Sequence, residues 1–180
     1  MKIVERIGRG GISEVFKVED DGMFFAFKTL KPLCRDNEAA ISRIKKEYQI
    51  LQKLDHKNIV TCHGWANLEK REGIILEYIN GKPLEVESVD RKWKGFDSMR
   101  NVICYLQGFT PAIIHNDISE KNILLDRLDQ PTLIDFSSAF FLGESPILMS
   151  RKEGAESYPN DVLAIDVYAL HDLVNSSSGS

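Results

Sequence analysis

The chain has 180 residues, a formal net charge of −4 and a composition that is 43% hydrophobic and 28% charged, the balance of an ordinary folded chain long enough for one domain or two small lobes sharing a cleft. Its charge makes no electrostatic case for nucleic acid or an anionic membrane, and no apolar run approaches the roughly 20 residues of a membrane span. Cys34, Cys62 and Cys104 are widely spaced and odd in number, which fits a reducing, cytoplasmic setting and neither a disulfide framework nor a zinc site.

In chain order, "KIVERIG" and "EVFKVED" are two alternating runs joined by "RGGI", and "MFFAFKTL" follows the turn signal Asp20-Asp21-Gly22, so three strands are predicted. From about Asn37 to Leu54 the period becomes helical, with Ile41, Ile44, Tyr48 and Leu51 on one face. "NIVTCHGWA" and "GIILEYI" read as two more strands separated by "NLEKRE". Residues 1–78 are therefore expected to hold five strands and one helix inserted after the third.

Beyond Ile79, "NGKPL" is a turn, "ESVDRKWKGF" is polar and unassigned, and "DSMRNVICYLQGF" is a helix with Met99, Ile103 and Leu106 on a face. "HNDISEKNILL" and "LIDFSSAF" follow as short strands around a loop. A polar run from Gly143 to Asn160 leads into a last helix, "DVLAIDVYALHDLV", and "NSSSGS" reads as a disordered end. A strand-rich half thus precedes a helix-rich half, with the polar motif expected between them at the junction.

Several residues invite chemistry. Gly8, Gly10 and Gly11, between two strands, let backbone approach a phosphate without Cβ interference. Taken alone, such a hairpin is also just a turn, and no Gly-Lys-Ser/Thr ends it as in a Walker loop. Lys28 lies in an apolar strand on the face of Ala26 and Phe24, so an edge-strand gatekeeper is disfavoured. Glu47 comes three residues after Ile44 and four before Leu51 on the helix, where a carboxylate is costly unless paired. Lys28 is its natural partner, though by itself Glu47 also fits the edge of the apolar stripe.

Together these residues resemble protein kinases. Gly8-x-Gly10-x-x-Ser13-x-Val15, Ala26-x-Lys28 and "EYQILQKLDHKNIV" resemble the N-lobe, and "LEYINGKPL" the hinge with Leu76 as gatekeeper. "HNDISEKN" resembles the catalytic loop and "DFS" the Asp-Phe-Gly motif. Asn122 lies five residues after Asp117 and Asp135 thirteen after Asn122, as in the family. The fold implied is α+β and two-lobed, a five-stranded antiparallel N-lobe with one helix over 1–78, a truncated, mainly helical C-lobe over 79–175, and a disordered tail over 176–180. The resemblance implies ATP and Mg²⁺ as cofactors, and a protein serine or threonine as acceptor. It makes Asp117 the group that accepts the hydroxyl proton, Asn122 and Asp135 the metal ligands, and Lys28, held by Glu47, the phosphate-positioning lysine. Nucleotide contacts are implied at Ile7, Gly8, Gly10, Gly11, Ser13, Val15, Ala26, Leu76, Glu77, Ile79 and Leu124, and Asp166 is implied to brace the catalytic loop.

The sequence also departs from the pattern. Asn116 stands where the family has an arginine that meets an activation-segment phosphate, so activity is expected not to need that phosphate. Ser119 stands in place of a lysine, Lys121 lies two residues further on, and Ser137 replaces a glycine. "HxDxSExN" also resembles RIO atypical kinases, and "HND…NILL…LIDF" choline and aminoglycoside kinases. A small-molecule kinase and a pseudokinase binding module are accordingly the alternative readings. The chain looks like a minimal kinase or a fragment. An apolar patch at Val167, Leu170 and Val174, covered by a partner or a second copy, is expected beside the last helix.

Overall fold

The computed structural model describes residues 1–84, 95–144 and 162–175. Most of "ESVDRKWKGF", most of the run expected between Gly143 and Asn160, and the expected tail lie outside the described residues. The chain divides into two compact units, one of Met1–His56 and Val60–Asn80, the other of Lys57–Ile59 and Gly81–Ser180.

In the first unit β1 (Lys2–Arg9), β2 (Ser13–Asp20), β3 (Met23–Leu30), β4 (Cys62–Leu68) and β5 (Arg71–Glu77) form one antiparallel sheet in the order β1-β2-β3-β5-β4. Alternation gives the sheet two different faces. Phe16, Val18, Phe27 and Ile75 make an apolar cluster on one of them, and burial of a phenylalanine such as Phe27 contributes about 1.5–3 kcal/mol. Helix α1 (Glu38–Leu51) packs against β3 and β4 and buries Ala40, Ile44, Glu47, Ile50 and Leu51. Its start is fixed by Asn37, whose side-chain oxygen accepts from the Ala40 amide at 3.0 Å.

The strand predicted from Asn58 begins instead at Cys62. Asn58 and Ile59 serve the second unit: the Asn58 carbonyl accepts from the Leu133 amide at 2.8 Å, its amide group donates to the Pro131 carbonyl at 2.7 Å, and Ile59 bridges Leu133 in parallel. Strands β4 and β5 also run further toward each other than predicted. Glu69 and Lys70 turn the hairpin with φ of 50° and 63°, a left-handed pair that their side chains do not advertise.

The second unit holds α2 (Gly95–Gln107), α3 (Ile165–Asn175) and two small sheets. One sheet has the order β6 (Lys82–Pro83), β8 (Ile123–Leu125), β9 (Pro131–Leu133), and the other pairs β7 (Ile113–Ile114) with β10 (Phe140–Phe141). Helix α2 buries Met99, Val102, Ile103 and Leu106 and packs on α3. The Gln107 side chain adds a hydrogen bond of 2.6 Å to the Leu163 carbonyl.

The apolar patch expected on the last helix is corrected by this packing. Leu170 and Val174 are 2% and 6% exposed, because the side of α3 carrying Leu170, Leu173 and Val174 is the side that is buried. Val167 is exposed together with Tyr168. No described helix is long and apolar enough to cross a membrane.

Candidate active site

Two groups of predicted residues form, one in each unit. In the first unit, register places Val15 opposite Lys28 and Ala26 opposite Leu76, so these four share a sheet face. Lys28 and Glu47 are 4% and 1% exposed, and the Lys28 ammonium donates to Glu47 Oε1 at 2.6 Å. The pairing answers why α1 tolerates a carboxylate on its buried side. A charge-assisted bond within burial this deep leaves either partner strongly disfavoured without the other.

The hairpin above this face is bare. The Gly10 amide closes it on the Ser13 carbonyl at 2.9 Å, and a Cβ at Gly11 would meet nothing within 4 Å. None of Gly8, Gly10 and Gly11 has a positive φ, so here glycine matters for the absent side chain rather than for backbone freedom. Ile7, the extra residue at a register shift between Arg6 and Gly8, is exposed, as bulges re-aim side chains. Glu77 is exposed and accepts from the Thr61 amide at 3.3 Å, while Ile79 is half-buried.

In the second unit the loop between β7 and β8 is held from within. Asn122, 4% exposed, donates through Nδ2 to the Asp117 carbonyl at 2.8 Å and to Asp117 Oδ2 at 2.9 Å. Only an NH₂ group can face two acceptors, which leaves Asn122 Oδ1 as a carbonyl oxygen with no hydrogen bond among the described residues. The Lys121 ammonium stands 3.6 Å from the same Asp117 Oδ2. Asp117 Oδ1 takes no hydrogen bond among the described residues and is available to accept one. Leu124, half-buried in β8, lies just beyond.

His115 is the organiser that sequence reasoning passed over. It is fully buried, accepts at Nδ1 from the Asp117 amide at 3.3 Å, and faces the Ile134 carbonyl with Nε2 at 3.2 Å. Since Nδ1 accepts, Nε2 carries the proton. The ring thus spans from the residue before Asp135 to Asp117, with its edge against Phe136 at 4.6 Å between centroids. The Ile134 amide also donates to the Asn122 carbonyl at 2.9 Å, so Asp135 is placed by bonds on both sides of Ile134. Asp135 is left-handed at φ 62° and caps the turn Phe136–Ser138 by accepting from the Ser137 amide at 3.2 Å. Ser137 sits in that tight helical turn with no positive φ, so its Cβ carries no backbone penalty.

Asp166 completes the frame. Fully buried on α3, it accepts from the amides of His115 and Asn116 at 2.7 and 2.8 Å. Burial pushes its carboxyl above the ordinary aspartate range, against the opposing pull of His115 and the two amide bonds. Asn116 itself is left-handed at φ 62°, a conformation that asparagine tolerates better than most side chains.

Hard oxygen donors at Asn122 Oδ1 and the Asp135 carboxylate suit Mg²⁺. No group of three or more histidine, cysteine, aspartate or glutamate side chains able to hold a metal occurs among the described residues.

Residues 1–163 match the family model described as protein kinase domain. The probable serine/threonine-protein kinase drkD of Dictyostelium discoideum is 35% identical over 145 residues, 74% of this chain and 11% of that protein. The probable serine/threonine-protein kinase PknB of Lactococcus lactis is 25% identical over 186 residues, 94% of this chain and 30% of that protein. Cysteine-rich receptor-like protein kinase 10 of Arabidopsis thaliana is 30% identical over 191 residues, 94% of this chain and 28% of its own length. The chain therefore spans less than a third of the length of each of these relatives.

Proposed function

The chain belongs to the protein kinase family, and on that premise we propose that it transfers the γ-phosphoryl group of ATP to a serine or threonine hydroxyl of a protein. The observation that carries this reading is the arrangement around Asp117, with one carboxylate oxygen held by Asn122 and the other open.

Asp117 Oδ1 orients the acceptor hydroxyl and takes its proton as the hydroxyl oxygen bonds to the γ-phosphorus. The bond from that phosphorus to the β,γ-bridging oxygen breaks, and ADP leaves with the electron pair. Lys28, its ammonium fixed by Glu47, holds the α- and β-phosphates. Asn122 and Asp135 would hold Mg²⁺, which when bound would neutralise charge on the phosphate oxygens. Lys121 adds positive charge beside Asp117, in the region where Ser119 replaces the family's lysine. Backbone of the Gly8–Ser13 hairpin covers the phosphates, and Ile7, Val15, Ala26, Leu76, Glu77, Ile79 and Leu124 contact the nucleoside.

Incubation with γ-labelled ATP, Mg²⁺ and a generic protein substrate, beside Asp117→Ala and beside choline and an aminoglycoside as acceptors, tests the proposal. Label on protein serine or threonine, lost in the variant, is expected. Label passing to a small molecule alone, or no Asp117-dependent transfer, overturns it.

A further inference from the structure

Lys31 follows the last residue of β3 and has no part in the reading above. Its main-chain amide donates to the Ile12 carbonyl at 2.9 Å, and its ammonium donates to the neighbouring Gly11 carbonyl at 2.8 Å. One residue thus brackets the Gly11–Ile12 peptide at the tip of the glycine hairpin. The next residue, Pro32, confines Lys31 to extended backbone, seen as φ −58° and ψ 151°, and so fixes the direction in which its side chain leaves. Lys31 makes no other side-chain hydrogen bond or ion pair among the described residues.

We propose that Lys31 is a positioning residue that latches the tip of the glycine hairpin to the end of the strand carrying Lys28, and so sets the hairpin's readiness to cover nucleotide phosphates. Among the described residues the other ties at the tip are main-chain ones, the Gly10 amide to the Ser13 carbonyl and the Lys31 amide to the Ile12 carbonyl. Gly11 brings no side chain to pack, and its Cβ direction is open. A flexible glycine segment that must order on binding loses affinity by that ordering. A tie made beforehand removes part of that loss. The inference rests on the nucleotide-binding reading, but the latch itself is a property of the free protein.

Two measurements on Lys31→Met, Lys31→Gln and Lys31→Arg separate the latch from its consequence. Hydrogen exchange in the free protein should quicken about fivefold at the amides of residues 10–13 in Lys31→Met, the weight of one ordinary hydrogen bond, with β4 and β5 unchanged. Calorimetry with Mg·ADP should show a dissociation constant raised by a similar factor. Lys31→Arg and Lys31→Gln, which keep a donor, should both recover most of each effect. Unchanged exchange in Lys31→Met overturns the latch, and altered exchange with unchanged Mg·ADP affinity overturns its role in binding. Recovery by arginine alone would assign the effect to charge and also overturn it. A wild-type chain that binds neither Mg·ADP nor Mg·ATP refutes the functional reading instead, and the exchange experiment still decides the latch.

Discussion

Asp117 and Asp135 are both half-buried carboxylates, and their bonds separate them. Asp117 keeps an open oxygen toward an acceptor, so Asp117→Ala should lower kcat by about 10²–10⁴-fold while leaving the affinity for Mg·ATP nearly unchanged. Asp135→Asn should lower turnover and also weaken Mg·ATP at least about tenfold, as loss of a metal ligand would. Equal affinity losses in calorimetry of the two variants would contradict these roles. Asp166 gives a pH signature of definite sign. Its folded carboxyl holds a proton to higher pH than the unfolded one, whose ordinary value is 3.8. Its contribution to stability is therefore complete below that value and falls as pH rises toward the raised one. Asp166→Asn turns an NH₂ toward one backbone amide and should cost about 1–3 kcal/mol. The wild-type advantage over Asp166→Asn in urea titrations should shrink as pH rises through that window; an advantage that grows there would mean the carboxyl is lowered instead. Lys28 and Glu47 stood out as candidates because each is a charged group on an apolar face, and Asp117, Asn122 and Asp135 because their motifs and spacing resemble those of the family. The role of His115 was not legible, because its two ring bonds go to Asp117 and Ile134, and which partners a buried imidazole meets depends on the folded loop.

Strand β5 depends on one glycine for its approach to β3. A Cβ at Gly73 would land on the Lys28 carbonyl oxygen and lie 2.9 Å from the Phe27 ring, two groups that cannot both give way. Gly73→Ala should therefore push the strands apart beside Lys28, destabilise the protein by about 1–3 kcal/mol, and weaken nucleotide binding by disturbing the Lys28–Glu47 pair. Unchanged urea midpoint and unchanged Mg·ADP affinity would show that the sheet absorbs the methyl group. Alternation and turn residues revealed β1 to β3 and the helical period revealed α1, because in those elements a regular repeat coincides with a buried face. The same logic misplaced the start of β4. Asn58, Ile59 and Val60 are buried like strand residues, but for Asn58 and Ile59 the bonds go to β9. Apolar runs report burial, not which strand lies alongside. In α3 the near-continuous apolar pattern announced burial on more than one side, and the packing on α2 then claimed Leu170 and Val174 rather than leaving them bare.

For the molecule as a whole, Asn116 stands where the resemblance implies an arginine that meets an activation-segment phosphate, and asparagine offers no bidentate, charge-assisted bond in its place. Phosphatase-treated protein should keep activity within about twofold, a surface-scale effect. A loss of two orders of magnitude on treatment, restored by glutamate at Ser145, Ser150 or Ser157, would overturn this; those three serines lie outside the described residues. The two-part plan was legible because strand and helix periods segregate along the chain, whereas the excursion of residues 57–59 was not, since three residues carry no period at all. That excursion also limits how the protein can be dissected. The backbone passes from one unit to the other three times, so a cut after residue 80 leaves the second unit without residues 57–59, which stay on the first piece. A fragment of residues 81–180 would lack the Asn58 partners of Pro131 and Leu133, leaving β9 with a raw edge. It should exchange its β9 amides faster than the intact chain does. A peptide of residues 55–61 supplied in trans should slow that exchange, though only at millimolar concentration, because so few hydrogen bonds must offset the loss of free motion on association. Fragment complementation of this kind makes the three-residue crossing a built-in splint, donated by one half of the sequence to the other.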